Sequence, residues 1–209
     1  MAALHAEIER LIAASGLDAT VVRPGMLASN ALLWWADTIR RGHVVRWPYG
    51  AVETAPVDDA DVTAVIARTL HAGGRTGADY VLTGPESLTQ AEQVGVIGDV
   101  LGRHLTFEDM PPDESRSQTP EASRPAVDML LAAWHAARGR PGHVTSTVSD
   151  LLGRPARTFR QWVTDHASSF GGGPTWRTGP SRRRPVRIRR LPAVRLPCPL
   201  PGPLVGWPA

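Results

Sequence analysis

The sequence predicts an α/β fold in which helices cover an open, mostly parallel sheet. Apolar residues recur with helical spacing in several segments, and short runs of β-branched residues separate those segments. The chain has 209 residues, of which 42% are hydrophobic and 21% are charged, as in an ordinary globular domain. We expect a cytoplasmic protein without a membrane partner, because no apolar run reaches ~18 residues and no signal peptide is recognised.

The first half of the chain alternates between predicted helices and strands. Leu4, Ile8, Leu11 and Ile12 fall on one face of an amphipathic helix, and Gly16 is suited to end it. The predicted elements of this half are a helix over 4–15, a strand over 19–23, a helix over 27–41, an extended segment over 43–47 and a helix from Asp58 to His71.

In the second half, polar residues mark the beginnings of helices. Asp58 and Asp61 precede an apolar run, so we interpret them as residues of a helix N-terminus rather than as a catalytic pair. Thr89 and Glu92 have the spacing of a capping box. The remaining predicted elements are strands over 79–83 and 104–108 and helices over 89–101, 126–138 and 158–170.

Several motifs of nucleotide and metal sites are missing from the sequence. There is no G-x-G-x-x-G or G-x-x-G-x-x-G, and the segment from Gly95 to Gly98 follows a capping box, so we interpret its glycines as helix-packing residues. The single cysteine, Cys198, excludes an intrachain disulfide, and no pair of histidines has metal-ligand spacing.

The segment 171–209 differs in composition from the rest of the chain. It holds 9 Pro, 6 Gly and 8 Arg and no acidic residue, whereas residues 1–170 hold 15 Arg and 20 acidic residues. We expect this tail to be disordered, because it has no periodic apolar pattern. We interpret it first as the product of a frameshift or readthrough; the alternatives are an Arg-rich arm for nucleic acid and a Pro-rich ligand for a groove-binding partner. We do not expect a nucleic-acid partner, and the tail is the one segment that could contact one.

Five segments in order carry a family resemblance. They are H-A-E-I-E-R-L-I-A-A-S-G-L-D-A-T-V-V-R-P-G (5–25), P-V-D-D-A-D-V (56–62), Y-V-L-T-G-P-E-S-L-T (80–89), I-G-D-V-L-G-R (97–103) and G-R-P-A-R-T-F (153–159). Together they resemble the NmrA-like, NAD(P)-binding group of atypical short-chain dehydrogenases over about residues 4–170. The resemblance implies a Rossmann-like sheet, NADP or NAD as cofactor, and an oxidoreductase acting on a small organic substrate.

The resembling part is the second half of the family's chain, so we expect an incomplete Rossmann-like sheet. The resemblance divides the chain into the C-terminal part of a NAD(P)-binding domain (1–110), a small helical substrate-side region (111–170) and the disordered tail (171–209). We expect NADP or NAD to bind the full-length relative and do not expect this chain alone to bind it. Uncovered apolar surfaces would make the chain poorly soluble or a homo-oligomer.

The resemblance also implies catalytic residues. Active relatives have a Tyr-x-x-x-Lys pair before a helix glutamate; if Glu9 is that glutamate, His5 takes the lysine position and Met1 the tyrosine position. His5 and Glu9 are therefore the catalytic candidates. His5 could also be a polar residue without function in the first helical turn, and Glu9 could equally be a solvated carboxylate on the helix surface. We expect a truncated and catalytically impaired oxidoreductase, with a non-enzymatic cofactor-sensing or regulatory module as the alternative.

A turn and the helix after it carry the candidate binding residues. The resemblance gives Arg23, Pro24, Gly25 and Met26 to the cofactor, and Asn30 and Trp34 to the substrate side. The same residues are also typical of an ordinary Pro-Gly turn, and Asn30 is equally consistent with an amide on the helix surface. Trp34, like Trp35 and Trp47, equally fits an aromatic core residue.

Overall fold

Short strands and surrounding helices form the fold of the computed structural model, which describes residues 2–71 and 78–171, with side chains from residue 7. The helices are α1 (Ala2–Ala14), α2 (Asn30–Arg41), α3 (Asp59–His71), α4 (Gln90–Leu101), α5 (Pro112–Ser117), α6 (Arg124–Ala137), α7 (Thr147–Leu152) and α8 (Phe159–Asp165). The strands are β1 (Val21–Pro24), β2 (Val44–Trp47), β3 (Glu53–Thr54), β4 (Asp79–Leu82), β5 (Leu88–Thr89) and β6 (Thr106–Asp109). Two 3₁₀ turns lie at Glu121–Ser123 and Ala167–Phe170.

The strands form three pairs, two of them parallel. β1 pairs with β4, with Pro24 opposite Leu82, and β2 pairs with β6, with Trp47 opposite Asp109. β3 and β5 form a two-residue antiparallel pair. The α/β fold with parallel strands that the sequence predicts is therefore confirmed. Because paired parallel strands end on the same side, the loops after β1 and β4 lie beside each other.

The larger hydrophobic core lies between α2, β2, α4 and α8. Its largest side chains are Trp35, Ile39, Ile97, Phe159, Trp162 and Phe170, all of them fully buried. Helix α8 packs against α4, and the 3₁₀ turn after α8 packs against α2. This C-terminal segment is thus built into the core of the molecule.

A smaller hydrophobic core lies between α3, α7 and β4. It consists of Val57, Val65, Leu82 and Val148, all of them fully buried. Since α7 and α8 both pack on elements from the first part of the chain, residues 147–170 do not form a separate layer. The functional division at residue 110 stays a prediction.

Local sequence signals account for several element boundaries. Thr89 and Glu92 form the predicted capping box of α4, and Gly102 ends the helix in the left-handed conformation with a φ of 64°. A Cβ on Gly98 would lie 2.7 Å from the carbonyl oxygen of Arg103, which agrees with a helix-packing glycine. No helix within the described ranges is long and apolar enough to cross a membrane.

Three expectations need correction. The last predicted helix does not run unbroken to Phe170, because α8 ends at Asp165 and the chain continues as a 3₁₀ turn. Asp61 lies in the first turn of α3 as predicted, but its fully buried carboxylate does not cap the helix and instead faces the segment after α7. The short helices α5 and α7 were not predicted, since six residues give too little periodicity to recognise. The tail prediction concerns residues that, apart from Gly171, lie outside the described chain.

Candidate functional site

The loop after β1 is fixed at the carboxyl end of the β1–β4 pair. The backbone nitrogen of Gly25 donates to the carbonyl oxygen of Leu82 at 2.8 Å. The carbonyl oxygen of Met26 accepts from Val57 at 2.8 Å, and Ala28 donates to the carbonyl oxygen of Val57 at 2.9 Å. Arg23, Pro24 and Gly25 remain exposed. The predicted cofactor turn is therefore rigidly held and accessible, at the place where open α/β sheets bind ligands.

The loop after β4 lies against the same extended segment. Gly84 donates to the carbonyl oxygen of Ala55 at 3.1 Å. A Cβ at this position would lie 2.1 Å from the carbonyl oxygen of Pro56, so only glycine allows this approach. Both loops at the carboxyl ends of β1 and β4 are thus attached to residues 55–57.

The Arg23 side chain joins three elements. Its Nε lies 2.7 Å from each carboxylate oxygen of Asp79 on β4, and its two Nη atoms lie 2.6 and 2.8 Å from the carboxylate of Glu9 on α1. The hydrogen bonds to Glu9, and then those to Asp79, raise the pKa of Arg23. Glu9 therefore braces the strand before the cofactor turn. His5 lies in α1, and its side chain is outside the described part of the chain.

Asn30 and Met26 connect the cofactor turn to α2. The Asn30 side-chain nitrogen lies 3.0 Å from the Met26 sulfur, across the first turn of the helix. This contact holds the Met26 sulfur beside the first residue of α2. The structure thus brings the predicted residues of the turn and Asn30 together in one continuous segment.

Trp34, one helical turn further along α2, lies in a cluster of tryptophans. Its ring stacks on Trp47 with centroids 5.9 Å apart and meets Trp134 of α6 edge-on at 5.4 Å. A cavity of about 330 Å³ lies beside the three rings, with Leu130 and Leu131 of α6 also in its lining. Trp34 is therefore both a core-packing residue and a cavity wall, so the two interpretations of the sequence are compatible.

Buried carboxylates hold the segment after α7. Asp61 accepts from the Arg154 guanidinium and from the backbone nitrogen of Arg157, both at 2.7 Å. Asp58 accepts from the Arg157 side chain at 2.5 Å and from the backbone nitrogen of Ala60 at 2.8 Å, which caps α3. The hydrogen bond to Asp58 is the main cause that raises the pKa of Arg157. The two arginines of G-R-P-A-R-T-F, Arg154 and Arg157, are the sequence feature from which these contacts with acidic residues could have been predicted.

A second cavity, which the sequence analysis missed, is lined by the turn after β2, the end of β6 and the end of α6. It has a volume of about 470 Å³ and includes Tyr49, His135 and Arg138 in its lining. Tyr49 is far in sequence from His135 and Arg138, and no motif connects it to them. No cluster of His, Cys, Asp and Glu side chains within the described residues could hold a metal ion.

Comparison with known proteins identifies relatives of this chain. No protein-family model matches it. It is 40% identical over 166 residues to a (4-alkanoyl-5-oxo-2,5-dihydrofuran-3-yl)methyl phosphate reductase of Streptomyces griseus, which covers 78% of this chain and 58% of that protein. It is 26% identical over 175 residues to an NmrA-like family domain-containing oxidoreductase of Aspergillus flavus, with coverage of 78% and 55%. The chain thus spans somewhat more than half the length of these relatives.

Solved structures share the fold. An NADPH-dependent quinone oxidoreductase of Escherichia coli matches with a TM-score of 0.67 and 24% identity, over 79% of this chain and 61% of that one. The transcriptional regulator NmrA in complex with NAD matches with a TM-score of 0.54 and 16% identity, over 72% and 52%. Relatives and fold together confirm the predicted resemblance: over about four fifths of its length, this chain is similar to NmrA-like, NAD(P)-binding oxidoreductases.

Proposed function

We propose that this chain supplies the substrate side and part of the cofactor crevice of a cytoplasmic NAD(P)H-dependent reductase for small organic molecules. The observation that carries the proposal is the continuous segment from the exposed turn after β1, through Asn30, to Trp34 at the tryptophan cavity. It connects a ligand crevice at a strand end with an apolar cavity of a size that suits part of a small molecule.

The cofactor would lie against the exposed turn at the carboxyl end of β1. Gly25 is exposed there, so the backbone of the turn is accessible. NADPH or NADP would supply the hydride chemistry when bound, while this chain's turn would orient the nicotinamide end. The Arg23 side chain is engaged by Glu9 and Asp79, so we assign the contact to the backbone of the turn.

The substrate would occupy the tryptophan cavity. The Streptomyces relative reduces an alkanoyl furanone phosphate, and a flat furanone ring suits the stacked indoles of Trp34 and Trp47. Helix α6 lines this cavity as well as the second one, which supports a substrate-side role for residues 111–170 within the proposed division at residue 110.

Catalysis by this chain alone would be impaired. Glu9 accepts two hydrogen bonds from Arg23, so we propose that it positions the strand and does not transfer protons. The positions of the Tyr-x-x-x-Lys pair fall on Met1 and His5, and a proton donor must lie within hydrogen-bond reach of the substrate. His5 is the one remaining candidate from the resemblance.

The test measures binding and turnover separately, with the 209-residue chain. A 5-oxo-2,5-dihydrofuran is titrated while tryptophan fluorescence is recorded, and NADPH oxidation is followed with the same compound. We expect saturable binding that is weakened by Trp34→Ala and unchanged by Leu33→Ala, whose side chain is exposed. NADPH oxidation should be absent. If Trp34→Ala leaves the affinity unchanged, the substrate does not bind in the tryptophan cavity. If NADPH oxidation is sustained, catalysis by this chain is not impaired.

We also propose that the chain associates with itself through α1 and α3. Ile8 and Leu11 on α1 and Ile66 and Leu70 on α3 are exposed, although apolar side chains at helical spacing normally pack against a neighbour. Light scattering coupled to size-exclusion chromatography should show a mass above that of the monomer. A monomer at all concentrations would contradict this assignment.

A further inference from the structure

The backbone at Tyr49 adopts a conformation that residues other than glycine rarely take. Its φ is 63°, in the turn between β2 and β3. The side-chain nitrogen of Gln90 donates to the carbonyl oxygen of Tyr49 at 3.0 Å, and the Asp109 carboxylate accepts from the backbone nitrogen of Gly50 at 2.7 Å. Two other elements therefore hold a strained turn, and strain of this kind is retained where it places a side chain for function.

The Tyr49 hydroxyl belongs to a short hydrogen-bonded chain. It lies 3.4 Å from Nδ1 of His135, and Nε2 of His135 lies 3.2 Å from the guanidinium of Arg138. A guanidinium can only donate, so Nε2 accepts and the neutral imidazole carries its hydrogen on Nδ1, which donates to the Tyr49 oxygen. The hydroxyl hydrogen of Tyr49 is then available to a ligand.

Arg138 brings a positive charge to the same place. Its guanidinium lies 5.9 Å from the centre of the Tyr49 ring and forms no ion pair with a carboxylate of the described chain. The cavity of about 470 Å³ beside it has apolar walls at Val52 and Met110. Asp109 also lines this cavity, with one carboxylate oxygen engaged by the turn. A guanidinium of this kind is suited to bind a phosphate or carboxylate through paired hydrogen bonds.

We propose that Arg138, His135 and Tyr49 bind the oxyanion of a small organic ligand, whose apolar part lies against Val52 and Met110. The inference goes beyond the proposed function, because this cavity is separate from the tryptophan cavity and shares only Met110 with its lining. The ligand class is small apolar molecules that carry a phosphate or carboxylate. Arg138 supplies the charge, His135 fixes the orientation of both neighbours, and Tyr49 donates a hydrogen bond to the oxyanion.

Calorimetric titration of the full chain, without NADPH, tests the site. Phenyl phosphate, phenylacetate and benzyl alcohol share an aromatic part and differ in the charged group. We expect one of the two anions to bind about tenfold more tightly than benzyl alcohol, and the better anion identifies the oxyanion. Arg138→Gln should reduce the affinity for the better anion about tenfold, so that it binds no more tightly than benzyl alcohol. Tyr49→Phe should reduce the affinity for that anion about threefold.

Arg140→Gln is the matched control. Arg140 lies two residues further on and donates to the carbonyl oxygen of Ala136, so its loss should leave anion affinity unchanged. Equal losses in the Arg138 and Arg140 variants, or equal affinity for all three compounds, would overturn the proposal. Circular dichroism of each variant confirms the fold. Because NADPH is absent, failure here is distinguishable from failure of the reductase assignment.

Discussion

Two sides of the molecule are held together by different forces. The aromatic side, around Trp35, Phe159, Trp162 and Phe170, buries large rings that stack on one another. The clamp side, formed by α1, β1 and β4, is joined by the exposed side chain of Arg23. Burial of a large apolar side chain stabilises by about 2–3 kcal/mol, whereas an exposed ion pair contributes about 0–1 kcal/mol. The buried rings of the aromatic side therefore contribute more to the free energy of folding than the ion pairs of the clamp side.

This difference agrees with the proposed roles of the two sides. The proposed substrate cavity borders the aromatic side, because Trp34 in its lining packs edge-on against Trp35. The cofactor turn borders the clamp side, where directional hydrogen bonds fix the position of a strand end with little burial. A rigid scaffold for the substrate thus adjoins a crevice whose backbone remains accessible.

The largest expected effect is on the aromatic side. Phe159→Ala removes a fully buried ring that stacks on Trp162 at 5.8 Å, so it should lower the free energy of unfolding by about 4 kcal/mol. Leu17→Ala, between α1 and β1 on the clamp side, removes a side chain that is 72% exposed and should change it by less than about 0.5 kcal/mol. Urea unfolding followed by circular dichroism measures both. If both variants lose a similar amount of unfolding free energy, the aromatic side does not contribute more to stability than the clamp side.

Buried and exposed ion pairs provide the second contrast. Asp61→Ala leaves the backbone nitrogen of Arg157 and the guanidinium of Arg154 without their acceptor, so it should cost about 3 kcal/mol. Asp99→Ala removes an exposed pair with Arg160 and should cost less than about 0.5 kcal/mol. The same unfolding experiment compares them. A small loss in the Asp61 variant would show that the segment after α7 contributes little to stability.

Sequence reasoning predicts the local features of this fold best. The capping box at Thr89 and Glu92 follows from side chains that interact within one helical turn. The expectation of uncovered apolar surfaces came from the family resemblance. The periodic pattern alone could not show that Ile8 and Leu11 are exposed, because an amphipathic pattern identifies an apolar face without identifying what covers it.

The turn that carries Tyr49 shows a second reason for failure. In W-P-Y-G, turn statistics favour Gly50 for the positive φ, but the structure places it on Tyr49. Gly50 is needed for close packing instead, since a Cβ there would lie 2.4 Å from the Phe107 ring on β6. Because Gly50 packs against Phe107, the positive φ falls on the neighbouring residue, Tyr49. The cluster of Tyr49, His135 and Arg138 depends on the same long-range packing and had no sequence signal.

The two capping boxes of the aromatic side allow a finer contrast. Thr89→Ala and Thr158→Ala each remove a side chain that accepts from the third residue of the helix, so each should cost about 1 kcal/mol at neutral pH. Only the first box contains a carboxylate. The backbone nitrogen and hydroxyl of Thr89 donate to Glu92 and lower its pKa.

The sign of the pH dependence follows from that lowered pKa. The stabilisation by Glu92 is fully present above the ordinary glutamate pKa and is lost as the pH falls through the lowered value. The cost of Thr89→Ala should therefore shrink in acid, while that of Thr158→Ala, whose partner is Gln161, should stay constant. Urea unfolding of both variants at several pH values measures this. Parallel pH profiles would contradict the role of the Glu92 carboxylate.

The smallest effect on global stability is expected at the clamp itself. Arg23→Gln removes the bonds to Glu9 and Asp79, but these groups are exposed, so the unfolding midpoint should hardly change. Local opening should respond instead, because the clamp attaches α1 to β1 and β4. Hydrogen exchange of the α1 amides should become several-fold faster, with the α4 amides unchanged. Arg160→Gln, which removes an exposed pair on the aromatic side, should leave both rates unaltered. If α1 exchanges at the original rate without Arg23, the ion pairs do not hold that helix, and packing alone attaches it to the sheet.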